Sequence, residues 1–143
     1  MRILAVDLGD VRTGLAICDI EETLAYPLEV IHERERGETA KKVAAAAVFH
    51  KADMVIVGHP KNRDGSLGER ARISEEFAEA LGLLTGLPVD LWDERGTTIS
   101  AQAALNFGTT KPRKKKAVID AVAATILLES FLAYRRGRPG TKS

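Results

Sequence analysis

The sequence predicts a single α/β domain, a mixed five-stranded sheet with helices packed on it. Three observations carry this. Two short apolar runs near the start are joined by a Gly-bearing turn, the pattern of a hairpin. Later apolar runs alternate with stretches of strong helix formers, the pattern of a sheet covered by helices. At 143 residues the chain fits one domain and leaves little room for a second.

The elements follow in order. Arg2–Val6 contains ILAV, a buried-strand run that ends at Asp7. The turn-rich segment DLGDVRTG comes next, and Leu15–Cys18 resumes an apolar strand. Pro27–Ile31 fits a third strand. Glu38–Lys51 is rich in Ala and reads as a helix. Asp53–Gly58 holds MVIV, a fourth strand that opens into the polar loop HPKNRDGS. Ser66 is suited to cap a helix to Leu84, with Gly86 and Pro88 ending it. Val89–Trp92 is the fifth strand and delivers Asp93, Glu94 and Arg95. Thr98 starts a helix to Phe107. A loop of Gly, Thr, Pro and Lys then leads to a last helix, Ala117–Tyr134. One domain over residues 1–136 is expected, with 137–143 a flexible basic tail.

Composition excludes several classes. With 45% hydrophobic and 29% charged residues the chain is globular rather than disordered. The longest apolar stretch, Ala121–Leu128, is too short and interrupted to span a bilayer. The N-terminus runs into a strand pattern with no signal-peptide core. Cys18 is the only cysteine, so neither a disulfide framework nor a cysteine-rich zinc site is available. A cytoplasmic protein is expected.

The net charge of +1 hides an asymmetry. Residues 111–143 carry nine Lys or Arg against Asp120 and Glu129, a net of +7, and the first 110 residues carry a net of −6. A basic end on a nearly neutral chain suits an anionic polymer, although a solvated tail would look the same. The run Lys111–Lys116 is the better functional candidate, because it precedes a helix with an unusual acid.

Acids stand out at three places. Strand alternation puts Ile3, Ala5 and Asp7 on one face, and a carboxylate ending a buried strand needs a partner. Gly9 follows and would let a backbone or phosphate approach closely. A turn-forming Asp bonded to nearby amides is the bland alternative. Asp93 and Glu94 end the fifth strand just before Thr97 and Thr98, where they could serve a helix N-terminus or pair with Arg95. Asp120 is the most unusual by local rules. Ala123, Ala124 and Leu127 share its helical face, so a carboxylate sits on an apolar surface. A metal or a buried basic partner would account for it; solvent exposure at a frayed helix start is the alternative.

Carboxylates from two strand ends and a helix are what a divalent site requires. Mg2+ and Mn2+ prefer oxygen ligands, and paired ions roughly 4 Å apart serve phosphodiester cleavage. His32, His50 and His59 are scattered and form no competing set, though His59 ends a strand. The loop GHPKNRDGSLG, with Lys61 and Arg63, and Arg70 beyond it, could contact phosphates or simply be solvated.

Taken in order, VDLGDVRTGLA, VGHPKNRDGS, DERGTT and IDAVAA resemble the YqgF family, also called RuvX or pre-16S rRNA nuclease. The resemblance covers nearly the whole chain. It implies a ribonuclease H-like fold related to RuvC Holliday-junction resolvases, and a role in maturing the 5′ end of 16S rRNA. It further implies that Asp7, Glu94 and Asp120 are metal-binding catalytic carboxylates, with Asp93 a further candidate ligand beside them. Arg12, Asn62, Gly65, Arg95, Thr97 and Thr98 would shape the site or hold substrate. Apart from the resemblance, Lys61 and Arg63 of the polar loop and Lys114, Lys115 and Lys116 of the basic run are expected to hold flanking phosphates. The chain departs from the family pattern in three places: His59 and Lys61 in one stretch in place of Leu, Gly96 in place of Leu, and Cys18 in place of Ser. None removes a carboxylate.

The expected activity is therefore phosphodiester hydrolysis dependent on Mg2+ or Mn2+. Structured RNA such as pre-16S rRNA, within the ribosome's assembly, is the expected partner; branched DNA is the alternative, and no membrane is expected. A non-catalytic RNA-binding assembly factor is a further reading. A sugar-kinase-type phosphotransferase would share the opening D-x-G turn, but 143 residues cannot build its two lobes. Monomer and homodimer both remain open, since junction resolvases pair by symmetry with their substrate.

Overall fold

In a computed structural model of the protein, β1 (Ile3–Asp7) is the middle strand of a five-stranded sheet. The structure describes residues 1–59, 68–93 and 112–137, with side chains in the last stretch from Val122 to Arg136. The other strands are β2 (Arg12–Cys18), β3 (Ala25–His32), β4 (Met54–His59) and β5 (Val89–Asp93), in the order β3-β2-β1-β4-β5. β2 is antiparallel to both β1 and β3, while β1, β4 and β5 run parallel. This is the mixed sheet the hairpin-then-alternation pattern predicts.

Helices cover both faces. α1 (Arg36–Phe49) and α2 (Glu69–Thr85) pack on one side, where Val43, Phe77 and Leu81 meet Leu4, Val6, Leu15 and Val57. α3 (Pro112–Gly137) packs on the other, where Ala124, Leu127, Leu128 and Phe131 meet Ile3, Ala5, Ala16 and Ile56. Ile3, Leu4, Ala5 and Val6 are all 0% exposed, because β1 is sandwiched between the two layers. Burying side chains such as Leu127 and Leu128 stabilises the domain by about 1.5–3 kcal/mol each. Among the described residues no helix is long and apolar enough to cross a membrane.

Several boundaries differ from the sequence expectation, for local reasons. β3 is longer, and Pro27 is tolerated because β3 is an edge strand, with a register shift opposite Leu15 and Ala16. α1 begins at Arg36, since the Glu35 carboxylate accepts from the Glu38 amide at 2.9 Å. α2 begins at Glu69 with Gly68 at its cap position, rather than after Ser66. Its end is as expected, on Gly86 in the left-handed region with φ 73°. α3 begins at Pro112, five residues before the expected Ala117, so Lys114–Lys116 lie on the helix and not in a loop. Proline's fixed φ suits a first helical position, and lysines extend a helix readily. α3 runs through Gly137; residues 138–143, like the helix expected from Thr98 to Phe107, lie outside the described set.

Candidate active site

Because β1, β4 and β5 are parallel, Asp7, His59 and Asp93 all end strands at one edge of the sheet. β2 starts at the same edge with Arg12. Asp7 is half-buried and faces Gly14 across the antiparallel ladder. It follows Ile3 and Ala5 by alternation, and both of those pack against α3. Its face is therefore the α3 face.

The turn after Asp7 is shaped by a steric limit. A Cβ on Gly9 would run into the Arg12 carbonyl oxygen, so only glycine allows this close return of the chain. The Gly9 amide donates to the Thr13 hydroxyl at 3.4 Å, and Thr13 is fully buried at the start of β2. The turn is also tied to the helices. Arg70 of α2 donates to Asp10 and to the Leu8 carbonyl, and Arg36 of α1 reaches Asp10 as well.

β5 reaches the edge under different control. The Trp92 indole packs edge-on to Phe131, with ring centroids 5.3 Å apart, and lies 4.8 Å from the Tyr134 ring. Trp92 thus faces α3, whereas Val89 and Leu91 face α1 and α2. Alternation puts Asp93 on the α1–α2 side, opposite Asp7. His59 is the cross-strand neighbour of Asp93 and donates from Nε2 to Glu75 of α2 at 2.8 Å. That contact holds the end of β4 against α2.

Of the residues expected at the site, Asp7, Arg12 and Asp93 are described and share the edge. Asp120 and Lys114–Lys116 lie on α3, where their side chains are not described. The three positions sharing Asp120's helical face are buried: Ala123 at 9%, Ala124 at 0% and Leu127 at 1% exposed. Lys61, Asn62, Arg63, Gly65, Glu94, Arg95, Thr97 and Thr98 lie outside the described residues. Sequence reading missed the Asp10–Arg36–Arg70 cluster and the His59–Glu75 pair. The partners are up to 60 residues apart, so no local pattern joins them.

The chain is similar to known proteins over most of its length. A family profile described as "RuvX: Holliday junction resolvase" matches residues 1–134. A "Putative pre-16S rRNA nuclease" of Lachnospira eligens is 38% identical, covering 95% of this chain and 99% of the relative. One of the same name from Rhodopirellula baltica is 42% identical, covering 96% of this chain and 79% of the relative. Among solved structures, RuvC of Thermus thermophilus superposes with a TM-score of 0.60 at 17% identity, covering 93% of this chain and 95% of that one. The fowlpox virus resolvase with Holliday junction DNA gives 0.54 at 15% identity, covering 93% of this chain and 97% of that one. At these identities the two structures bear on the fold, which is the ribonuclease H-like one.

Proposed function

The chain belongs to the RuvX family, and from that premise we propose that it is a divalent-metal-dependent nuclease that cuts the precursor of 16S rRNA at its 5′ side. The observation that carries the reading is Asp7. It is a half-buried carboxylate ending the middle strand of the sheet, on the face covered by the helix that bears Asp120.

Asp7, Glu94 and Asp120 are the residues assigned to hold the metal. Helix geometry supports the third. Arg135 pairs with Glu22 in the turn between β2 and β3, away from Asp7. Fifteen residues at about 1.5 Å each set residue 120 roughly 22 Å back along α3. Strand β2 spans roughly 20 Å by the same kind of count. Asp93 faces the other side by alternation and is given no ligand role. The donor set is all oxygen, which fits Mg2+ or Mn2+, and among the described residues no His or Cys cluster competes for an ion. Such an ion, when bound, polarises the phosphodiester and lowers the pKa of water. The chain's own contribution is to hold the carboxylates on rigid elements and to bind phosphates on either side. Arg12, Lys61, Asn62, Arg63, Arg95, Thr97, Thr98 and the lysines Lys114–Lys116 are assigned to that binding.

A second reading is cleavage of branched DNA, favoured by the family's description as a junction resolvase. The two differ in symmetry, since a four-way junction suits a two-fold dimer and an RNA leader does not. Cleavage of a pre-16S leader, single-stranded RNA and a four-way DNA junction, assayed side by side with Mg2+ or Mn2+, separates them. Asp7→Asn is the control. Undiminished cleavage by that folded variant would overturn the mechanism.

A further inference from the structure

Asp10 projects from the turn after β1 with its side chain 69% exposed, and two guanidinium groups converge on it. Arg70 Nη1 donates to its two carboxylate oxygens at 3.2 and 3.4 Å, and Arg70 Nη2 donates to the Leu8 carbonyl at 3.3 Å. Arg36 Nη2 donates to Asp10 Oδ1 at 3.5 Å. The arginines come from the first turns of α2 and α1, so both helices direct their N-terminal ends towards this spot. Acidic neighbours limit the field: Glu35 caps α1, Glu69 lies in the first turn of α2, and Glu33 is held by Lys42 at 2.9 Å. Two cations still face one carboxylate, three residues beyond Asp7.

This arrangement is poorly suited to a structural role. The contacts are long, and the side chains of Arg70 and Arg36 are 54% and 40% exposed, so water screens the pair and its contribution to stability is small. The turn keeps other ties when the Asp10 side chain changes, because Arg70 still donates to the Leu8 carbonyl and the Gly9 amide to the Thr13 hydroxyl. A phosphodiester offers the same two anionic oxygens as a carboxylate, and guanidinium groups bind either bidentately.

We propose that Arg36 and Arg70 form a phosphate subsite for the nucleic-acid backbone beside the strand end that carries Asp7, and that Asp10 is its internal stand-in, displaced when a phosphodiester binds. The proposal rests on the nuclease reading and deepens it. Asp10 lowers affinity for any strand laid across this edge, and it keeps the arginines oriented until one arrives.

The test is binding without turnover. A fluorescein-labelled RNA stem–loop is titrated with the full chain in EDTA, and anisotropy is read at several salt concentrations. Asp10→Asn should bind roughly three- to tenfold tighter at low salt, the gain fading as salt rises. Arg36→Gln and Arg70→Gln should each bind more weakly, with the log–log salt slope reduced by about one. The decisive variant combines Asp10→Asn with both arginine substitutions, where the gain from removing Asp10 should vanish. A gain that persists there is a general charge effect and overturns the subsite, as does unchanged affinity in Asp10→Asn. Should Arg70→Gln fail to fold, Arg36→Gln and Asp10→Asn complete the cycle without it. A wild type that binds no nucleic acid overturns the nuclease reading along with the subsite. Loss of cleavage in Asp7→Asn with flat binding data across the Asp10 series overturns the subsite alone.

Discussion

The indole Nε1–H of Trp92 donates to Ser130 Oγ at 3.1 Å, joining β5 to α3. These are the strand that leads to Glu94 and the helix that carries Asp120, so one hydrogen bond links two of the three proposed ligand carriers. Trp92→Phe keeps the ring contact with Phe131 and loses the bond. It should cost about 1 kcal/mol in urea unfolding. Trp92→Ala removes the ring as well and should cost about 3 kcal/mol. Cleavage should fall in the same order, because the end of β5 loses its anchor.

Gly9 should tolerate no side chain. In Gly9→Ala the new methyl meets the Arg12 carbonyl and the turn must move. About 1–3 kcal/mol of stability should be lost. Activity should drop further than stability, since the displaced turn follows Asp7 directly. Thermal unfolding alongside the cleavage assay checks both.

Removing a proposed ligand should act on chemistry and spare the fold. Asp7→Asn, Glu94→Gln and Asp120→Asn should each reduce divalent-dependent cleavage at least about a hundredfold, near 3 kcal/mol at 1.4 kcal/mol per decade. Circular dichroism spectra should overlay with wild type. EDTA should silence the wild type, and added Mg2+ or Mn2+ should restore it.

Acid should weaken the turn between β2 and β3. The Thr23 hydroxyl and the amides of Thr23 and Leu24 donate to Asp19, holding its carboxyl down from 3.8 to about 2. The folded state therefore binds this proton less tightly than the unfolded chain does. The stabilisation is complete above the unfolded value of 3.8 and is lost as pH falls towards 2. Glu22 acts in the same direction: burial alone would raise it, but Arg135 and the N-terminal amine outweigh that and lower it. Melting temperatures between pH 5 and 2 should fall less steeply in Asp19→Ala than in wild type.

Leu127 tests the α3 layer. It is 1% exposed against the middle of the sheet, so Leu127→Ala should cost about 2–5 kcal/mol. A loss that small helices on a loose face would give, near zero, would contradict the packing described.

Much of the fold was legible in the sequence because its signals are local. Strand runs such as ILAV and MVIV, the Gly86 stop and the Ala-rich stretch of α1 depend on neighbours a few residues away. The face of Asp7 could also be read, since alternation is a property of the strand itself. Element ends were less legible. Whether a helix starts at Pro112 or Ala117 turns on small propensity differences that hydrophobic periodicity does not register. The family, and the three carboxylates proposed as ligands, came from motifs spread along the chain, each weak and together specific. Tertiary structure alone decided the rest. It brought Arg36 and Arg70 onto Asp10, His59 onto Glu75 and Trp92 onto Ser130, pairs set by the sheet order rather than by spacing. It also put Asp93 and Asp7 on opposite faces, although both end strands at the same edge. That difference depends on which residue of each strand first enters the ladder, and register between distant strands is fixed only when both faces of the sheet are buried at once.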